Sequence, residues 1–115
     1  MEKLKVVFHI DDESMWSMVL GNVKNLLDQV NYEEIEIEVL GNGNSVKKYD
    51  VNVENDDMEL MKDLSDKNVK FVACNNSMNG LKLKKEDLYS YVSIVPAGVL
   101  ELIEKQTEGY TYIKP

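Results

Sequence analysis

The sequence predicts an α/β layered domain with a mostly parallel sheet. Two observations predict it. Short β-branched and aromatic runs alternate with segments whose apolar residues recur at three- and four-residue steps. Their order reads strand, helix, strand, helix, strand, short helices, strand, helix, strand. The chain has 115 residues and shows no repeat, linker or low-complexity tract, so residues 1–115 read as a single domain. A fold of this size buries about two thirds of its extended surface and needs no metal or disulfide staple.

Leu4-Lys5-Val6-Val7-Phe8 is the first strand, and it ends at His9-Ile10-Asp11-Asp12. Asp11 or Asp12 caps the first helix, with Glu13 in its first turn. Trp16, Val19, Leu20, Val23, Leu26, Leu27 and Val30 form one helical face, with Trp16 in the core. Gly21 interrupts this helix at a cost of about 1 kcal/mol relative to Ala, and close packing on the sheet would explain it. Asn31-Tyr32-Glu33-Glu34 turns the chain. Residues 35–40 alternate as the second strand, closed by Gly41-Asn42-Gly43. Its glutamates suggest an edge strand, a thinly covered face or a surface near a neighbour. Residues 44–49 read as a short helical turn and residues 50–57 as the loosest stretch.

Met58, Leu60, Met61 and Leu64 mark a second amphipathic helix, closed by residues 65–68. Val69-Lys70-Phe71-Val72-Ala73 is the third strand and delivers Cys74. Residues 75–80 are a loop or a short helix start, and residues 84–88 another helical turn. Tyr91-Val92-Ser93-Ile94-Val95 is the fourth strand. Pro96-Ala97-Gly98 opens a helix carrying Val99, Leu102 and Ile103, with Pro96 near a first helical position. Gly109 stops it, and Tyr110-Thr111-Tyr112-Ile113 is the fifth strand.

Composition excludes several classes. Thirteen Lys and no Arg stand against 21 acidic residues, a net charge of -8. Nucleic acid and anionic membrane are poor partners for such a chain. One Cys forbids an internal disulfide, and one His makes a conventional zinc site unexpected. No apolar run is long enough to span a membrane, and the first apolar patch is too short for a signal peptide. A reducing cytoplasm is the expected home.

Ligands of a parallel α/β sheet gather at the carboxyl ends of its strands. There the sequence places His9, Asn42, Cys74 and the Pro96 to Gly98 turn. Cys74 is the candidate nucleophile. If Asn75, Asn76 and Ser77 begin a helix or nest, their amides and the Ser77 hydroxyl lower its pKa and raise its thiolate fraction. A lone Cys also reads as a plain core residue. His9 polarises the thiol or moves a proton, or it merely fills a cleft. Asn42 between two glycines is a ligand-facing turn or ordinary turn chemistry. Pro96 and Gly98 expose backbone amides to the same cleft, or simply start a helix. Asp11 and Asp12 need no role beyond capping.

The segment Val69-Lys70-Phe71-Val72-Ala73-Cys74-Asn75-Asn76-Ser77-Met78 resembles the cysteine-bearing segment of the DsrE/DsrF-like family. So do Glu86-Asp87-Leu88, the block from Val92 to Val99, and the ending from Gln106 to Pro115. The likeness covers nearly the whole chain and is strongest in its second half. It implies a three-layer α/β/α fold around a five-stranded parallel sheet of order 4-3-2-1-5, assembled as trimers or hexamers. Relatives in sulfur oxidation and tRNA thiolation carry persulfide sulfur on a cysteine at the end of strand three, the position that Cys74 matches.

Three functions fit these residues. The first is a sulfur-relay protein that carries persulfide on Cys74, exchanges it with donor and acceptor proteins, and needs no metal or organic cofactor. With no second cysteine in the chain, the sulfur must pass to another molecule or another subunit. The second is a non-catalytic homo-oligomeric domain that binds a small ligand or a protein at the same cleft. The third is a small thiol-dependent hydrolase or reductase using Cys74 and His9. Six Tyr and six Met in so small a domain predict self-association, with Glu36 and Glu38 on an exposed sheet face and Tyr32, Tyr49, Tyr89 and Tyr91 in or beside connections.

Overall fold

The structure, a computed structural model, describes residues 3–115. Its regular elements are β1 (Leu4–Ile10), α1 (Trp16–Gln29), β2 (Ile35–Gly41), α2 (Met58–Asp66), β3 (Lys70–Cys74), α3 (Asn75–Gly80), β4 (Val92–Val95), α4 (Gly98–Thr107) and β5 (Thr111–Ile113). Short 3-10 turns fill Glu13–Met15, Tyr32–Glu34, Gly43–Tyr49 and Lys85–Asp87. The sheet runs β4-β3-β2-β1-β5 and every strand pairing in it is parallel. The order and the α/β class are those expected.

The two faces of the sheet are unequally covered. Val6, Phe8 and Ile10 of β1, Ile35, Ile37 and Val39 of β2, and Phe71 and Ala73 of β3 point into the larger core. There they meet Trp16, Val19, Leu20 and Val23 of α1 and Met61 and Leu64 of α2. Each such side chain contributes roughly 1.5–3 kcal/mol on burial. The opposite face holds a small cluster of Val7, Leu40, Val72 and Tyr110, against which Val95 and Leu102 pack. That layer is built from α4, whose N-terminal turn also reaches the carboxyl ends of the strands.

Several expectations need correction. β2 is the central strand, not an edge, because β1 and β3 flank it. Its thinly covered face is real, yet Glu38 is buried rather than exposed, since the chain beyond β4 folds back over it. Tyr49 is fully buried: its ring packs on Trp16 and Phe71, and its hydroxyl donates to the Val39 carbonyl. Gly21 is exposed and a Cβ there would meet nothing, so sheet packing does not explain it. α4 begins at Gly98 with Ala97 as its cap, which leaves Pro96 outside the helix. The stretch 50–57 is held down by a bridge from Asp50 to Leu88 and by Asn55, whose amide reaches the Tyr89 hydroxyl. Among the described residues no helix is long and apolar enough to cross a membrane.

Candidate functional site

β3 ends on Cys74, and α3 starts directly after it. The chain turns from extended into helical conformation there, so the first amides of α3 face back toward the sulfur. Gly98, the first residue of α4, donates its N–H to Cys74 Sγ at 3.3 Å. The turn packs closely on its neighbours: a Cβ on Gly98 would lie in ordinary contact, 3.4 Å from Cys74 Cβ and 3.5 Å from Asn42 Cβ. Cys74, Gly98 and Asn42 are thus neighbours drawn from three strand ends.

Ser77 links this group to the β2 turn. Its Oγ accepts the Gly43 N–H at 2.8 Å, which leaves the hydroxyl proton for the Cys74 sulfur. Gly43 adopts φ +59, and a Cβ there would stand 2.9 Å from the Asp11 carbonyl oxygen, so glycine is required. Burial pushes the Cys74 thiol up. The Ser77 hydroxyl and the amides of Ser77, Gly98 and Asn76 outweigh it and hold the thiol below its ordinary value. Cys74 therefore combines a stabilised thiolate with 5% exposure.

His9 stands in β1 rather than beyond it and serves a different pair. Its Nε2 donates to Asn42 Oδ1 at 2.8 Å, and the Tyr112 hydroxyl donates to Nδ1 at 2.7 Å. Both ring nitrogens are occupied, by Tyr112 and Asn42, so the expected His9–Cys74 pair is not formed. Beneath the site, Trp16 Nε1 donates to the Ser45 carbonyl at 2.8 Å. Ser45 Oγ shares its proton between the Ile10 and Asn42 carbonyls at 2.8 and 2.6 Å. This network fixes the β1 and β2 ends against each other.

Of the residues expected here, Cys74, Ser77, Asn42 and Gly98 converge, and Asn76 contributes its amide. Asn75 opens α3, and Pro96 is exposed at the rim. Asp12 caps the adjoining 3-10 turn, with Oδ1 accepting the Ser14 N–H at 2.9 Å. Asp11 pairs with Lys114 at 2.9 Å, which holds its carboxyl below the usual range. Gly43 joins the site as part of the turn read as ligand-facing, and Tyr112 joins it without having been expected there. Gly43 had a readable signal in the Gly-Asn-Gly turn; Tyr112 had none.

A notch of about 380 Å³ lies at the opposite end of the sheet, where β2 overhangs β3, and holds neither Cys74 nor His9. Among the described residues, no three His, Cys, Asp or Glu side chains form a group that would hold a metal ion.

Comparison with known proteins matches residues 22–115 to the DsrE/DsrF-like family. That span contains Asn42, Cys74, Ser77 and Gly98 and leaves out His9. Among solved structures the chain is similar to a protein of unknown function, MTH1491, from Methanobacterium thermoautotrophicum. The identity is 32%, the TM-score 0.87, and the match covers 97% of this chain and 99% of that one. It is also similar in fold to the ychN protein from E. coli, at 16% identity and a TM-score of 0.78, over the full length of both chains. No curated protein matches.

Proposed function

This chain belongs to the DsrE/DsrF-like family, a family linked to sulfur relay, and from that premise we propose that Cys74 carries persulfide sulfur. One observation carries the reading: the only cysteine ends β3 with donors from Ser77, Gly98 and Asn76 gathered on its sulfur. Donors that hold a thiolate also suit a persulfide anion. The Cys74 thiolate attacks the outer sulfur of a donor persulfide. The donor S–S bond breaks, a new one forms to Cys74, and the donor leaves as a thiolate. The outer sulfur keeps its proton or yields it to water, with no net oxidation. An acceptor thiolate repeats the exchange. His9 acts at a remove, by orienting Asn42, whose Cβ borders Gly98. A reducing cytoplasm is the proposed setting, where a lone thiol stays free for exchange.

Incubation with a cysteine desulfurase and cysteine, followed by intact mass, tests the proposal. A species heavier by one sulfur, absent from Cys74→Ser, is expected. Its absence across several persulfide donors would sink the carrier role.

The outer face of α4 favours an assembly. Val99, Leu100 and Ile103 are 67%, 48% and 57% exposed, although the inner face of the same helix is already packed. A helix apolar on both sides is a helix between two layers. A second copy of this chain is the proposed cover, within a ring of three or a stacked six. A non-catalytic binding domain is the competing reading, because Cys74 is so little exposed. Rapid alkylation of native protein at neutral pH, lost in Cys74→Ser, counts against that alternative.

A further inference from the structure

Gly98 places the start of α4 directly on the Cys74 sulfur, so chemistry there requires α4 to move. The hold on α4 is thin: four buried residues with Val95 and Leu102 against them. Beside that cluster lies Glu38, 2% exposed, whose Oε2 has no hydrogen-bond partner. β2 sets Glu38 opposite Val7 of β1 and Lys70 of β3. Glu101 and Lys105 reach it from α4, and Tyr110 faces it from the turn into β5. Tyr49 lies in the larger core on the other face of the sheet, where its hydroxyl donates to the Val39 carbonyl. Around this group stand Glu36 of β2, Lys5 of β1 and Glu108, whose carbonyl accepts the Lys5 ammonium at 3.2 Å.

A protonated Glu38 shares its proton with Glu101 and sits neutral beneath the helix. A charged Glu38 would confront Glu101 where water does not reach. We propose that Glu38 is the latch of a lid: α4 seats over Cys74 while Glu38 holds its proton, and when Glu38 gives it up α4 lifts from the sulfur, its outer face staying on the neighbouring copy. The use of this lid in gating sulfur exchange rests on the carrier role of Cys74; the motion itself does not.

Proton linkage sets the direction. Burial first, then the hydrogen bond and charge of Glu101, push the Glu38 carboxyl up to about 8, while Lys105 and Lys70 pull it back only in part. A lifted, hydrated Glu38 would lose its proton near the ordinary 4.5. Between these values the lifted form binds fewer protons, so rising pH favours opening by up to about tenfold per unit. Above about pH 8 both forms are charged and the dependence levels off.

Hydrogen exchange of the α4 amides from about pH 5.5 to about pH 9, corrected for intrinsic chemical rates, reads this motion. Opening of residues 99–105 should rise at least tenfold by about pH 8 and then level, while β1, β2 and β3 stay protected. Glu38→Gln keeps the shape of the protonated acid and should flatten the profile. A flat wild-type profile, or a Glu38→Gln profile that still rises, overturns the proposal. Should that variant not fold, Glu101→Gln serves: without the second carboxylate the profile should level at lower pH, and an unchanged profile refutes the latch. A lid that opens on a protein taking no persulfide leaves the latch standing and removes the carrier. Persulfide uptake with a flat α4 profile does the reverse.

Discussion

Ser77 is the side chain on which the character of Cys74 most depends. Its hydroxyl is aimed by the Gly43 amide and spends its proton on the sulfur. Alkylation needs the thiolate, so a thiol held below its ordinary value reacts faster at neutral pH. Ser77→Ala removes the donor while burial continues to act upward. The Cys74 titration should move to higher pH, and the iodoacetamide rate at neutral pH should fall about threefold or more, with Ser77→Thr restoring part of it. An unchanged rate profile would mean that the backbone amides alone set the thiol. Much of this site was legible: a cysteine ending an apolar run, a serine three residues on, and glycines at two other strand ends. The His9–Tyr112 bond was not, because it joins residues 103 apart through the pairing of β1 with β5. Periodicity carries no information about such a contact.

At the scale of elements, α1 offers a direct test of the demands a helix places on its residues. Gly21 lies on its exposed side, and a Cβ there meets nothing within 4 Å. Gly21→Ala should stabilise the protein by about 0.5–1 kcal/mol, through a less disordered unfolded chain and a better helix former. A urea midpoint that rises with an unchanged slope is the expected result; a fall would show that the glycine serves a contact. The same kind of local chemistry made the strands and helices readable in order, because each carries its own period. Position within the sheet is different. The alternation of β2 revealed two faces but not that both flanks would be paired, nor that α4 would lie over Glu38. The start of α4 was legible in the Pro96-Ala97-Gly98 turn, whose amides were one reading of the strand-end cleft. Its first amide, on Gly98, finds its acceptor in the Cys74 sulfur; the turn pointed to the cleft but not to that individual partner.

For the whole molecule, a net charge of -8 opposes assembly while the outer face of α4 favours it. Sedimentation equilibrium at low micromolar concentration should give a multiple of the 13.2 kDa chain mass, in moderate salt as well as low. Ile103→Asp, placed in the centre of the exposed stripe, should yield monomers with unchanged circular dichroism. A single wild-type species at the chain mass in both salts would refute the assembly. The two layers also differ in how visible they are to an observer. The chain has one tryptophan, and Trp16 is sealed in the larger core between Tyr49 and Phe71. Its fluorescence is therefore an optical reporter for one side of the sheet and is blind to the other. A melting curve monitored at Trp16 should coincide with one monitored by circular dichroism only if both layers unfold together. Any gap between the two curves measures how independently the thin layer comes apart.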